Sequence, residues 1–274
     1  IEFFENPLNF QQNKEYPMNM NEKEIIELVH STKSIIYNKE MAHAVTVKGT
    51  ADYVTKVEVA VQEYLRKELA ARTPDVILLA KEQENKNLNP AKSYWILDPI
   101  DGTTNLIHDY RMSAVSLGLY ENGQMTFGVV YNPFTEETFH ASLGKGAFLN
   151  GEPIHVSHRE ALNTCIIAFG SAPYEKERAS MLFPIFQRVF IETADFRRSA
   201  SAALDLCYLA AGRIDGFFEL NLKPWDYAAG SLIIEEAGGK ITDWNGTRLP
   251  FLANSDIHTC TPEIYERIKK LLKH

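Results

Sequence analysis

The sequence is poor in cysteine and contains no long hydrophobic run. Only three of its 274 residues are cysteines, Cys165, Cys207 and Cys260. They are widely spaced among apolar residues, which predicts buried free thiols in a reducing compartment rather than a disulfide or a zinc site. No stretch of about 18 apolar residues is present, so we expect no transmembrane helix and no membrane partner. These features together predict a cytoplasmic protein.

Positive charge is also scarce. The sequence carries 28 lysines and arginines against 36 acidic residues, which gives a formal net charge of −8. Nonspecific binding to nucleic acid requires a basic surface, so we expect no nucleic-acid partner. An acidic chain of this kind instead suits a protein that collects cations locally.

The chain divides into an amino-terminal leader and two halves. Residues 1–19 lack the regions of a secretory signal and are interpreted as a leader, with the natural start at Met18 or Met20. Residues 20–160 are predicted to form an α+β half that ends in a large antiparallel sheet. Residues 161–274 are predicted to form an α/β half, with a helix interrupted near Pro184 and a strand at residues 190–195. We expect a layered sandwich that works as one catalytic unit.

The stretch WILDPIDGTTN, Trp95 to Asn105, places two carboxylates at the end of a buried strand. Because Pro99 cannot donate a hydrogen bond, strand pairing is expected to stop there and to leave Asp98 at the carboxyl end. Asp98, Asp101 and the Ile100 carbonyl offer the oxygen ligands that Mg²⁺ prefers. A cation would also offset the cost of burying two carboxylates together. The alternative is that both aspartates cap turns and face water.

The residues that follow this acidic turn suit a phosphate. Gly102 lets the backbone turn sharply and approach a ligand. Thr103 to Asn105 are predicted to begin a short helix, whose free N–H groups favour an anion. A metal site and a phosphate site are therefore expected side by side.

A second acidic motif lies in the carboxyl-terminal half. The stretch WDYAAGSLIIEEAGG places Asp226 in the first turn of a predicted helix. Taken alone, this acid could simply compensate the helix dipole. Small residues follow it, at 228–230, and allow close packing against another element. Together with the first motif, Asp226 favours a shared cation site.

The two motifs resemble the signature motifs of the inositol monophosphatase family, the Mg²⁺-dependent, lithium-sensitive phosphatases. The likeness in layout runs from about residue 20 to residue 270. It implies an αβαβα layered sandwich, a homodimer, two to three Mg²⁺ ions and hydrolysis of a small phosphate monoester by in-line attack of a metal-activated water. It also implies that lithium competes for one cation position.

The resemblance assigns metal ligands position by position. Asp98 would bridge two metals, and the Ile100 carbonyl would join the first of them. Asp101 and Asp226 would hold the second. One position departs from the family pattern, because Lys81 stands where the first of two adjacent glutamates is usual and Glu82 where the second is. Either Glu82 (or, as a less favoured alternative, Glu84) shifts into the site as a metal ligand and catalytic base, or the site lacks one carboxylate and the Lys81 ammonium lies where a cation normally does.

The resemblance also assigns groups that act on water and substrate. Gly102 and Thr103 would present backbone and hydroxyl to the phosphate and the attacking water, and Glu58 would pair with Thr103. Contacts to the rest of the substrate are implied for Ser201, Ala202, Glu219 and Asp226.

The substrate most favoured is inositol 1-phosphate, because Glu219 matches the family's acid that accepts bonds from sugar or inositol hydroxyls. Relatives act on fructose 1,6-bisphosphate, histidinol phosphate or 3′-phosphoadenosine 5′-phosphate, and these alternatives stay open. Lys81 keeps a further alternative open, a weakened or inactive relative that binds a phosphorylated ligand.

Overall fold

The computed structural model describes residues 20–273, and the leader predicted for residues 1–19 lies outside that range. The described residues form nine α-helices: α1 (Glu22–His30), α2 (Lys33–Ile36), α3 (Lys39–His43), α4 (Lys56–Arg72), α5 (Thr103–Ile107), α6 (Ala179–Glu192), α7 (Ala202–Ala210), α8 (Pro224–Glu236) and α9 (Tyr265–Leu272). No helix in this range is both long and apolar enough to cross a bilayer. The three cysteines are buried and free, as predicted.

The same residues form fourteen strands: β1 (Val45–Gly49), β2 (Asp52–Thr55), β3 (Ile77–Ala80), β4 (Tyr94–Asp101), β5 (Ala114–Glu121), β6 (Gln124–Asn132), β7 (Glu137–Ser142), β8 (Ala147–Leu149), β9 (Glu152–Ile154), β10 (Ile166–Phe169), β11 (Asp195–Arg197), β12 (Gly216–Leu222), β13 (Lys240–Thr242) and β14 (Ser255–Cys260). β1 and β2 pair as a hairpin. Strands β3 to β9 form a seven-stranded sheet in sequence order, and the other five form a sheet in the order β11-β10-β12-β14-β13.

Helices cover and separate the two large sheets. Apolar residues of α1 and α4 pack on one face of the seven-stranded sheet. Helices α7 and α8 lie between the two sheets and share one core with both. Helices α6 and α9 pack on the outer face of the five-stranded sheet. The order of layers is helix, sheet, helix, sheet, helix, which confirms the predicted αβαβα sandwich.

Helix α8 lies unusually close to the seven-stranded sheet, and two glycines explain why. A Cβ atom added to Gly128 would lie 2.7 Å from the carbonyl oxygen of Ala229, and one added to Gly118 would lie 3.3 Å from the Ala229 nitrogen. Side chains at these sheet positions would therefore push the helix away. Ala229 is three residues after Asp226, so this contact brings the first turn of α8 towards the sheet strand that carries the acidic turn.

Three local predictions were wrong. Strand β4 continues through Pro99 to Asp101, because its pairing with β5 shifts register between Asp98 and Asp101 and tolerates a residue without an N–H. Helix α6 runs through Pro184 without a break. Residues 190–192, predicted as strand, complete that helix, since Ile185 and Val189 on the same helix are fully buried and favour its continuation.

Candidate metal centre and active site

Three aspartates from two distant parts of the chain converge. Asp98 and Asp101 lie at the end of β4, and Asp226 lies in the first turn of α8. Each offers one carboxylate oxygen, and these three oxygens lie within 4.8 Å of one another. Asp98 is fully buried and Asp101 is 7% exposed. This aspartate cluster (Asp98, Asp101 and Asp226) is the feature around which the other site residues are arranged.

Hydrogen bonds fix the orientation of each aspartate. The Ile100 N–H donates to Asp98 Oδ1 over 3.0 Å. The Lys223 N–H donates to Asp226 Oδ2 over 2.8 Å, and this bond caps the amino-terminal end of α8. Asp101 Oδ2 accepts bonds of 2.6 Å from the Ser201 hydroxyl and of 2.8 Å from the Ala203 N–H, at the start of α7. Elements from both halves of the chain therefore hold the cluster in place.

Burial and mutual repulsion make the aspartate cluster favour a positive partner. Burial raises the pKa of Asp98 to about 6, although the Lys81 ammonium acts against the rise. Burial also raises the pKa of Asp101. The pKa of Asp226 lies well above its usual value, through burial and then through the charges of Asp98 and Asp101. A bound cation would remove this cost of holding three carboxylates together.

One positive group, the Lys81 ammonium, already lies against the site. Lys81 Nζ lies 3.3 Å from each oxygen of the Asp98 carboxylate and 3.0 Å from the Ile100 carbonyl oxygen. It also lies 3.5 Å from Glu58 Oε1. Burial lowers the pKa of Lys81, but the nearby carboxylates outweigh this and hold the pKa well above its usual value. The ammonium is therefore charged at neutral pH.

Glu82, assigned above as a metal ligand and base, has other partners. Its carboxylate forms an ion pair with Lys48 of β1, and its side chain is 6% exposed. Its N–H donates to Gln62 Oε1 of α4 over 2.9 Å. Among the described residues, the group of acids close enough to share an ion is the aspartate cluster, which does not include Glu82.

The oxygen donors fit one Mg²⁺ at the aspartate cluster. Three converging carboxylates supply the charge and the hard oxygen atoms that this ion requires. The residues do not fit a second ion held by Asp98 and the Ile100 carbonyl, because the ammonium of Lys81 contacts both of these groups.

Thr103 and Glu58 form a directly bonded pair beside the cluster. The Thr103 hydroxyl donates to Glu58 Oε1 over 2.6 Å. Glu58 Oε2 accepts from the Thr55 N–H over 2.6 Å, so the carboxylate also caps helix α4. Glu58 is fully buried, and burial raises its pKa. The pair links a hydroxyl at the site to a buried carboxylate.

The turn between the aspartates and α5 requires glycine at position 102. Gly102 has a φ of +85°, in the left-handed region. A Cβ atom there would lie 2.6 Å from the Met112 carbonyl oxygen. Thr103 then begins α5, as the sequence predicts.

Ser201, Ala202 and Glu219 lie on the side of the cluster formed by the carboxyl-terminal half. Ser201 and Ala202 are buried at the start of α7. Burial raises the pKa of Glu219 to about 7, and the charge of Asp101 raises it further. A Cβ atom on Gly170 would lie 1.7 Å from the Glu219 carboxyl carbon. Gly170 therefore leaves the space that the Glu219 side chain fills.

Sequence reasoning missed two residues near the site. Asp205 is buried in α7, and burial, followed by Glu219 and Asp101, places its pKa well above its usual value. Its signal was an acid in an otherwise apolar helix, four positions after Ser201. Tyr174 is 60% exposed, and its hydroxyl lies near enough to Lys81 and Asp226 for their charges to act on it. Its sequence context carries no signal that would have found it.

Comparison with known proteins agrees with this fold. The model of the inositol monophosphatase family matches residues 18–274. The Nus factor SuhB of Vibrio cholerae serotype O1 is 38% identical over 229 residues, 84% of each chain. The extragenic suppressor protein suhB of Bartonella henselae has a solved structure with a TM-score of 0.85 and 34% identity, covering 91% of this chain and 96% of that one. A solved IMPase/NADP phosphatase complexed with Mg²⁺ and phosphate has a TM-score of 0.81 and 25% identity, covering 91% and 93%.

The layered fold is that of the solved neighbours, which include inositol monophosphatases. The chain belongs to the inositol monophosphatase family.

Proposed function

We propose that the chain hydrolyses a small phosphate monoester in a Mg²⁺-dependent reaction. The observation that carries the proposal is the convergence of Asp98, Asp101 and Asp226. When bound there, Mg²⁺ would neutralise charge on the phosphoryl group and acidify a water molecule. Membership of the family and the Mg²⁺ and phosphate bound to a solved neighbour support this reading. Both halves of the chain contribute to the cluster, so they act as one catalytic unit.

Thr103 and Glu58 are proposed to position the attacking water and to receive its proton. Because the Thr103 hydroxyl donates its own hydrogen to Glu58, both lone pairs of its oxygen can accept hydrogen bonds. Lys81 Nζ, 3.4 Å away, uses at most one of them, which leaves one for water. As the new P–O bond to water forms and the ester P–O bond breaks, one proton of the water can pass through Thr103 to Glu58, and the departing alkoxide takes a proton from solvent to leave as the alcohol. Burial raises the pKa of Glu58 and so makes its carboxylate a better base.

Inositol 1-phosphate is the proposed substrate, because acids suited to hydroxyl groups lie beside the cluster. Glu219 and Asp205 are neighbouring carboxyl groups with raised pKa values. Such a group accepts hydrogen bonds from the hydroxyls of a polyol when it is ionised, and it can also donate one to them when it is protonated. Ser201 and Ala202 would complete this side of the substrate site.

Phosphate release from inositol 1-phosphate tests the reaction. We expect turnover with Mg²⁺ to exceed turnover in EDTA by at least about a hundredfold, which corresponds to about 2.7 kcal/mol. Fructose 1,6-bisphosphate, histidinol phosphate and 3′-phosphoadenosine 5′-phosphate, measured alongside, would identify a different preference. Binding of a phosphorylated ligand with no turnover of any of the four would contradict the hydrolase and favour an inactive relative.

A second candidate is the Nus-factor role that the name of the Vibrio cholerae relative indicates. The net charge of −8 disfavours nonspecific contact with nucleic acid, so such a role would use a protein partner. The Asp226→Asn variant separates the two functions, because hydrolysis requires this carboxylate and a protein contact elsewhere does not. The variant can be expressed in a Vibrio cholerae strain that lacks its Nus factor SuhB. Rescue of this strain would show that the function it requires is not hydrolysis.

We propose that two copies of the chain associate through an apolar face of α6. Phe183, Phe190 and Ile191 share this face and are 67%, 54% and 70% exposed. In light scattering, the wild type should have twice the chain mass and Ile191→Asp the mass of one chain. Val47→Asp, which changes a residue 68% exposed on β1, should leave the dimer intact. A monomeric wild type, or a dimeric Ile191→Asp variant, would contradict this interface.

A further inference from the structure

We propose that the Lys81 ammonium permanently occupies one of the cation positions of this site, so that the chain binds a single Mg²⁺ ion. The inference rests on the proposed function, since it treats the aspartate cluster as a Mg²⁺ site. The family resemblance implies two to three Mg²⁺ ions, whereas this inference predicts one Mg²⁺ ion and one ammonium.

The oxygen atoms around Lys81 Nζ form the surroundings of a cation. Two come from the Asp98 carboxylate at 3.3 Å, and one is the Ile100 carbonyl oxygen at 3.0 Å. The Thr103 hydroxyl oxygen at 3.4 Å and Glu58 Oε1 at 3.5 Å complete the set. Of these five oxygens, three come from carboxylates, one from a backbone carbonyl and one from a hydroxyl, and all are donor types that bind a hard cation.

A Mg²⁺ ion cannot share this position with the ammonium. Mg²⁺ binds oxygen at about 2.0–2.1 Å, so an ion on the Ile100 carbonyl would lie against Nζ, which is 3.0 Å from the same oxygen. Two positive charges would then meet in a buried site, where their repulsion is strong. The Mg²⁺ ion is therefore the one excluded, because the ammonium is covalently attached to the chain.

The backbone holds Lys81 at this place. Lys81 directly follows β3, which runs parallel to β4 with Ala80 opposite Leu97. The Lys81 N–H donates to the Leu97 carbonyl oxygen over 3.3 Å, so the ladder continues one residue beyond the strand. This register puts Lys81 beside Asp98, the residue after Leu97. The side chain is 20% exposed and lies within the site, rather than extending into solvent.

The adjacent carboxylate is engaged elsewhere. Glu82 forms its ion pair with Lys48, and its N–H is bonded to Gln62. These contacts attach the residue to β1 and α4. Turning the Glu82 side chain into the cluster would break its ion pair with Lys48.

The charge balance agrees with one ion fewer. A glutamate at position 81 would add one negative charge, whereas lysine adds one positive charge. The difference of two charges equals the charge of one Mg²⁺ ion. A lysine at position 81 therefore contributes the same net charge, +1, as a glutamate together with one Mg²⁺ ion.

Counting bound Mg²⁺ by calorimetry on EDTA-treated, refilled protein tests the inference. We expect one ion per chain for the wild type and two for Lys81→Glu, which removes the ammonium and restores a ligand. Lys81→Met should retain the first ion and admit a second only weakly. Lys86→Glu makes the same change of charge at an exposed lysine five residues away and should bind one ion, as the wild type does.

A further variant tests Glu82 directly. If Glu82 shifts into the cluster as a ligand, Glu82→Gln should lower Mg²⁺ affinity at least tenfold. We expect the Mg²⁺ affinity of this variant to stay within about twofold of the wild-type value, and a tenfold loss would overturn the inference.

The counts decide the outcome even if Lys81→Glu fails to fold. Two or more ions on the wild-type chain, or equal counts on wild type and a folded Lys81→Glu, would overturn the inference. Hydrolysis is scored separately in the same samples. Counts of one and two without turnover would support the inference and contradict the hydrolase, whereas turnover with two wild-type ions would do the reverse. A wild-type chain that binds no Mg²⁺ would overturn both.

Discussion

The Asp226→Asn variant is expected to lose turnover by about three orders of magnitude, about 4 kcal/mol of transition-state stabilisation. Asp226 is the member of the aspartate cluster that comes from the carboxyl-terminal half, and its carboxylate lies within 4.8 Å of the other two. Asparagine keeps an oxygen that can accept the Lys223 N–H, so helix α8 can still begin at the same place. What is lost is a negative charge that a cation needs. The measurement is kcat for inositol 1-phosphate at saturating Mg²⁺.

The same substitution should stabilise the metal-free chain. Burial, and then the charges of Asp98 and Asp101, raise the pKa of Asp226, so its charged carboxylate is disfavoured in the absence of a cation. Removing this charge should raise the free energy of unfolding in EDTA by about 1 kcal/mol, while Mg²⁺ no longer adds stability. Urea unfolding with and without Mg²⁺ measures both effects.

A control variant on the same helix separates a site effect from a helix effect. Glu235→Gln makes the equivalent change at an exposed residue near the end of α8, nine positions from Asp226. It should keep turnover and the stabilisation by Mg²⁺. An Asp226→Asn variant that is still stabilised by Mg²⁺ and still turns over would show that the aspartate cluster is not the metal site.

The convergence of the acidic motifs could be anticipated from sequence because both motifs carry local signals. A buried strand that ends in two acids and a glycine, and a helix that begins with an acid and continues with small residues, each predict their own geometry. Gly118 and Gly128, which let α8 approach the sheet, carry no such signal. Their role depends on Ala229, a residue about one hundred positions away in the chain.

The environment of Lys81 could not be decided from sequence. The residues allowed either a lysine in the site or a shifted Glu82, and the choice depends on two long-range features. One is the register of β3 against β4. The other is the hairpin of β1 and β2, which brings Lys48 to Glu82. Neither of these pairings leaves a pattern in the residues around position 81.

Contacts between the halves of the chain were also beyond local reasoning. The resemblance implies that Ser201 contacts substrate, and the structure adds a contact that the sequence did not indicate, because the Ser201 hydroxyl donates to Asp101. Ser201 therefore also holds a member of the aspartate cluster in place. The predicted break at Pro184 failed for a related reason, because burial of α6 residues against the five-stranded sheet outweighed one missing hydrogen bond.

Removing either partner of the Thr103–Glu58 pair is expected to lower kcat by about a hundredfold to a thousandfold. Thr103→Val removes the hydroxyl that links water to the carboxylate, and Glu58→Gln removes the base. Glutamine can still accept the Thr55 N–H, so the start of α4 is kept. Thr104→Val is the matched control, since it removes an exposed hydroxyl one residue along α5 and should leave kcat unchanged.

The double variant distinguishes a connected pair from two independent groups. Because the Thr103 hydroxyl donates to Glu58 over 2.6 Å, both groups should act through one proton path. The loss of kcat in the double variant should then be close to that of the worse single variant, far less than the product of the two. The KM should change little, because neither group is assigned to substrate hydroxyls. A loss equal to the product would show that the two groups contribute independently, so that Glu58 does not act on the water through Thr103.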